Sequence, residues 1–191
     1  MVQQLDATVD RQRLGKKIQI MGWSGSGKTT LAQKLSDKLA IQHYELDAIA
    51  FLPGWKIKQK QEIIKEIQPI VSQDSWILCG DYVGRLDGYT IKHAETILLL
   101  NYPFWLSQWR VIKRSMRRSL SKQLIWGTNR ESFFKFWFSP SKSLLWINLR
   151  TRHKNGKNLH TQKIQKYKQK HKIIECSSPK ELEQWLTTLG S

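Results

Sequence analysis

The residues most able to do chemistry stand together near the N-terminus. Gly22-Trp23-Ser24-Gly25-Ser26-Gly27-Lys28-Thr29 fits the spacing G-x-x-x-x-G-K-[ST], and Thr30 continues it. The glycines let successive backbone N–H groups point into one concavity, which suits a phosphate. Lys28 adds a charge for β- and γ-phosphate oxygens, and the Thr29 hydroxyl is a ligand for Mg²⁺. The expected ligands are therefore ATP and Mg²⁺. Trp23 lies inside the loop and is expected to pack on the sheet.

Such a loop works only between a strand and a helix. The apolar run Lys17 to Met21 supplies the strand, and Lys28 to Leu39 reads as the helix, with Leu31, Leu35 and Leu39 on one face. The same alternation of short apolar runs and helical stretches continues along the chain. Strands are expected at His43 to Leu46, Trp76 to Gly80, Thr96 to Leu100 and Lys172 to Cys176. A helix over Lys60 to Val71 carries an isoleucine stripe, and a last helix follows Ser178-Pro179. The pattern predicts an α/β domain with a five-stranded parallel sheet, spanning residues 17–191 after a polar leader at 1–16. From Pro103 to about Lys170 the chain reads as helical and basic, broken by Gly127 and Ser139-Pro140, a lid or arm inserted between strands four and five.

Acids at the carboxyl ends of parallel strands face the ligand crevice. Glu45, Asp47 and Asp81 stand at such ends, whereas strand four ends in Asn101. Asp47 is the first candidate for work on an acceptor hydroxyl or the metal, with a turn or helix-capping aspartate as the plain alternative. Asp81 is the second candidate for the metal. This placement points to a small-molecule or nucleotide kinase, which needs an acid near the acceptor and arginines over the transferring phosphoryl group. Arg114 and Arg118 are the expected lid arginines, with Arg130 next; solvated helix positions are the alternative.

Charge is unevenly spread. The net charge is +17, and Arg110 to Lys172 holds 18 Lys and Arg against the single acid Glu131. The rest of the chain is balanced. Within the arm, Phe133, Phe134, Phe136, Trp137, Phe138, Leu144, Leu145 and Trp146 interleave with Lys135 and Lys142. Three readings stand: aromatics packing the arm onto the core, nonspecific nucleic-acid binding, and a membrane-surface element. There is no eighteen-residue apolar run, so no transmembrane helix is expected. Cys79 and Cys176 close apolar runs and read as buried thiols in a reducing cytoplasm.

Taken together, several blocks resemble the adenylate-kinase-like P-loop family labelled DNA topology modulation proteins. They are the phosphate loop, Tyr44-Glu45-Leu46-Asp47-Ala48, Pro53-Gly54-Trp55, Gly80-Asp81-Tyr82, Arg85-Leu86-Asp87, His93 to Ile97 and Trp105 to Arg114. Trp126-Gly127-Thr128-Asn129-Arg130-Glu131-Ser132 and Ser178-Pro179 complete the set. The resemblance implies a P-loop NTPase fold of nucleoside-kinase type with strand order 2-3-1-4-5. It also implies an ATP site at the P-loop and an adenine pocket near Ser177 to Pro179. The expected activity is transfer of the γ-phosphate of ATP to a small acceptor, a nucleotide or other hydroxyl compound. The alternative is a nucleotide-switched DNA- or RNA-binding regulator with weak ATPase activity. One departure stands out: the family carries Asp-Gly-Asn-Tyr where this chain has Cys79-Gly80-Asp81-Tyr82, so metal binding at Thr29 falls to Asp47 or Asp81.

Overall fold

The computed structural model describes residues 14–121, 124–127, 129–130, 149–150, 164–165 and 167–189. The elements run β1 (Lys17–Gly22), α1 (Lys28–Leu39), β2 (His43–Glu45), α2 (Leu46–Ala50), β3 (Phe51–Leu52), a 3₁₀ turn (Pro53–Trp55), β4 (Lys56–Ile57) and α3 (Lys60–Val71). They continue with β5 (Trp76–Cys79), α4 (Tyr89–His93), β6 (Thr96–Leu100), α5 (Phe104–Ser121), β7 (Leu124–Ile125) and β8 (Asn129–Arg130). β9 (Lys172–Cys176) and α6 (Pro179–Thr188) close the chain.

Five strands form one parallel sheet in the order β2-β5-β1-β6-β9, which is the expected 2-3-1-4-5 when the sheet strands are counted along the chain. The central strand β1 pairs with β5 on one side and with β6 on the other. Its burial is nearly complete, as a central parallel strand with both faces covered requires. The side-chain period of two divides the core cleanly. Ile18, Ile20, Ile77, Cys79, Leu98, Leu100, Ile174 and Cys176 pack against Leu31 and Leu35 of α1 and Trp185 of α6. On the other face Trp76 and Leu78 meet Leu46, Ile63 and Ile67, while Met21, Ile97 and Leu99 meet Val83, Ile91, Ile164 and Tyr167. Each buried aliphatic side chain contributes roughly 1.5–3 kcal/mol.

Local capping fixes the ends of the helices. Gln59 and Glu62 form a reciprocal capping box at α3. Ser178 accepts from Glu181 N and precedes Pro179 at the first turn of α6. Leu14 packs on the core, and Glu95 Oε2 accepts from Lys16 N at 2.6 Å, so the last residues of the leader are docked.

Two sequence expectations need correction. Leu46 opens α2 and does not end a strand. The stretch after Pro103 is helical only to Ser121 in its first part; a β7–β8 hairpin follows, with Ile125 opposite Asn129. Its turn has positive φ at Trp126 and Gly127, which closes a tight hairpin and stops a helix. The aromatic run from Phe133 to Trp146 and the tail lysines Lys154, Lys157 and Lys163 lie outside the described residues.

Candidate active site

The phosphate loop bridges β1 and α1 at the carboxyl edge of the sheet, beside the ends of β2 and β5. Gly22 has φ +143°, and a Cβ there would stand 2.5 Å from Leu100 O. Gly25 has φ +82°, and a Cβ there would stand 2.3 Å from Ser107 O and 2.8 Å from Val111 Cγ2. The second glycine is therefore demanded by helix α5 as well as by the loop. Ser26 is buried within the loop, while Thr29 and Thr30 are exposed. Trp23 is buried and meets Phe104 of α5 edge to face.

Lys28 is half-buried, and its Nζ donates to Gly22 O at 3.0 Å and Trp23 O at 2.9 Å. Loss of solvation lowers its pKa; Asp47 and Asp81 pull the other way, and Arg114 adds to the lowering. The charges of Asp47, Asp81 and Arg114 thus act on the phosphate-loop lysine. Arg114 Nη2 also approaches Ser24 Oγ at 3.5 Å. Arg118 lies one turn further along α5 and is half-buried. The Arg130 side chain lies outside the described residues.

Asp47 sits in the first turn of α2, where Oδ1 accepts from the Tyr82 hydroxyl at 2.8 Å. Burial, then the Asp47 charge, pushes the Tyr82 phenol upward, so it remains a donor. Gly80, with φ +146°, takes the chain off β5, so Asp81 leaves the strand face that holds Cys79. Thr29 stands near the Cys79 thiol and acts weakly against its upward shift. Burial, reinforced by the Glu45 charge, pushes that thiol up to about 12, so it stays neutral at physiological pH.

Residues beyond the sequence candidates complete the wall. Glu45 Oε2 accepts from Trp126 Nε1 at 3.1 Å. Asn129 is buried; its Oδ1 accepts from Trp55 N at 2.9 Å and its Nδ2 donates to Leu52 O at 3.3 Å. Trp126 stacks on Phe51 and meets Trp55 edge-on. The basic arm is thus pinned across the chain to β2 and to the β3–β4 hairpin. The signal was present in the sequence as two tryptophan-glycine blocks, but spacing alone does not pair them. Ser178, expected near the adenine, caps α6.

The donor set suits Mg²⁺. Thr29, Asp47 and Asp81 offer oxygens, and a Mg²⁺ bound with phosphates takes only one or two carboxylates from protein. No group of three or more His, Cys, Asp or Glu forms a metal cage among the described residues.

This architecture has solved counterparts. A shikimate kinase from Acinetobacter baumannii, in complex with shikimate, superposes with a TM-score of 0.56 at 16% identity, covering 93% of this chain and 92% of that one. A gluconokinase from Sinorhizobium meliloti 1021 gives 0.51 at 14% identity, covering 93% of each chain. The chain has the fold of the P-loop small-molecule kinases. No family model and no curated protein sequence matches it. The likeness is one of fold, and no helix among the described residues is long and apolar enough to cross a membrane.

Proposed function

We propose that the protein is a kinase that transfers the γ-phosphoryl group of ATP to a hydroxyl of a small acceptor. The observation that carries the reading is the Asp47 carboxylate in the first turn after β2, oriented by the Tyr82 hydroxyl at 2.8 Å. A phosphate-holding cation and an oriented base are what in-line transfer requires.

The roles follow from the chemistry of each group. The loop amides and Lys28 hold the β- and γ-phosphates. Asp47 accepts the proton of the acceptor hydroxyl, whose oxygen forms a bond to the γ-phosphorus. The bond from that phosphorus to the β,γ-bridging oxygen breaks, and ADP leaves with its electron pair. Tyr82 keeps one Asp47 oxygen occupied, so the other is the base. Arg114 stands at the loop to offset charge on the transferring group, with Arg118 as the second lid arginine. Thr29, with Asp81, would hold Mg²⁺, which neutralises phosphate charge when bound. The adenine is assigned to the side of Ser178 and Pro179 by the resemblance to topology modulation proteins, which implies that pocket.

The test is ADP release from Mg-ATP across a panel of polyols, sugar acids, nucleosides and nucleotides. Lys28→Ala is expected to abolish release. Asp47→Asn is expected to lower turnover by about 10²–10⁴-fold with nucleotide binding retained. If no acceptor raises ADP production above the Lys28→Ala background, the kinase reading fails. Duplex binding that tightens with ATP would then favour the nucleotide-switched regulator.

A further inference from the structure

Helix α5 is turned inside out. Its inward face carries Ser107, Gln108 and Ser115, all buried, together with Val111 and the loop-facing Arg114. Its outward face carries Trp105, Trp109, Met116 and Leu120, exposed at 67%, 64%, 44% and 83%. With the half-buried Ile112, these residues recur at helical spacing and form one stripe about 22 Å long. A helix normally turns such a stripe to the core and its serines to water. Here the inward face is committed to the phosphate loop, where Val111 and Ser107 press on Gly25.

The surroundings of the stripe select its partner. Lys113 and Arg117 are exposed along one side of it. The sequence has no acid between Glu95 and Glu131, and the segment from Arg110 to Lys172 holds 18 basic residues against one acid. A second copy would bring two such segments together and repel itself. A duplex would meet the lysines but gain nothing from Trp, Met and Leu at this spacing. An anionic bilayer takes both: indoles settle at headgroup depth, Met and Leu reach the acyl boundary, and Lys and Arg meet lipid phosphates.

We infer that the outer face of α5 is a docking site for an anionic membrane surface. The stripe lies about half a turn from the loop-facing residues, so docking leaves the phosphate crevice open to water.

The full chain is sedimented with vesicles of phosphatidylcholine containing about a third phosphatidylglycerol, in about 0.15 M salt. Phosphatidylcholine alone is the reference. Binding is expected only to the anionic vesicles. Trp109→Ser with Leu120→Ser, and separately Lys113→Glu with Arg117→Glu, should each weaken it about tenfold or more, with melting temperature and nucleotide binding unchanged. Four results overturn the inference: no wild-type binding, equal binding by the Trp109/Leu120 variant, an oligomer that this variant dissociates, or a fall in its melting temperature. The last two mean that a second copy or another part of this chain covers the face. Duplex binding lost in the same variant, without vesicle binding, would also overturn it and make the face a nucleic-acid surface.

Discussion

Cys79 closes β5 as a buried thiol. Its thiol is buried against Thr29 and is pushed up to about 12, chiefly by burial. The native thiol therefore keeps its proton where an unfolded one, near 8.5, has lost it. The unfolded chain then binds fewer protons than the native one, so stability from this group is complete below about pH 8.5 and is lost as pH rises from there toward about 12. Denaturant midpoints should fall more steeply over that range in the wild type than in Cys79→Ala. Alkylation of native Cys79 should stay slow at pH values where a free thiol reacts readily. Parallel midpoint curves for the two proteins would remove this account of the thiol.

Elements matter here mainly through the two places where α5 and its hairpin touch the site. Gly25→Ala places a methyl against Ser107 O, a backbone atom that cannot step aside, at a left-handed φ. The expected cost is about 1–3 kcal/mol, with weaker nucleotide binding because α5 and the loop separate. Thermal melts and a fluorescent nucleotide titration read both effects together; a variant that melts normally and binds normally would mean the helix gives way easily. Asn129→Ala leaves Trp55 N and Leu52 O without their side-chain partner, for about 1–3 kcal/mol. Amide exchange at Trp55 should accelerate. Asn129→Asp keeps the acceptor for Trp55 N and should protect that amide partly.

At the scale of the whole molecule, a net charge of +17 guarantees attraction to polyanions without specifying one. Duplex affinity is expected to fall steeply and log-linearly with salt and to be the same with and without ATP. Filter binding across a salt series measures it. An affinity that rises with ATP and survives about 0.15 M salt would indicate a nucleotide-linked site beyond plain charge.

Much of the framework was legible because it depends on local rules. The limits of α1, α3, β6 and β9 follow from apolar periodicity and turn residues, and they coincide with the structure. The phosphate loop was legible because its spacing is its mechanism: glycines, a lysine and a hydroxyl in fixed order between strand and helix. Asp47 and Arg114 were nameable as candidates from their places after β2 and on the helix after β6. The break at Gly127 was legible, but the hairpin arms around it were not, because a basic, aromatic composition carries no strand alternation over two-residue arms.

The sequence by itself determined a phosphate loop, a doubly covered parallel sheet and a segment of concentrated positive charge. These are properties of neighbours along the chain. Tertiary structure alone decided that Tyr82 holds Asp47, that Trp126 reaches Glu45, and that Asn129 bridges to Trp55. Those partners lie 35, 81 and 74 residues apart, and hydrogen bonds across such separations have no period to betray them. The fold also decided which face of α5 turned inward. The close approach of Ser107 and Val111 to Gly25 put the serines inside and the tryptophans out.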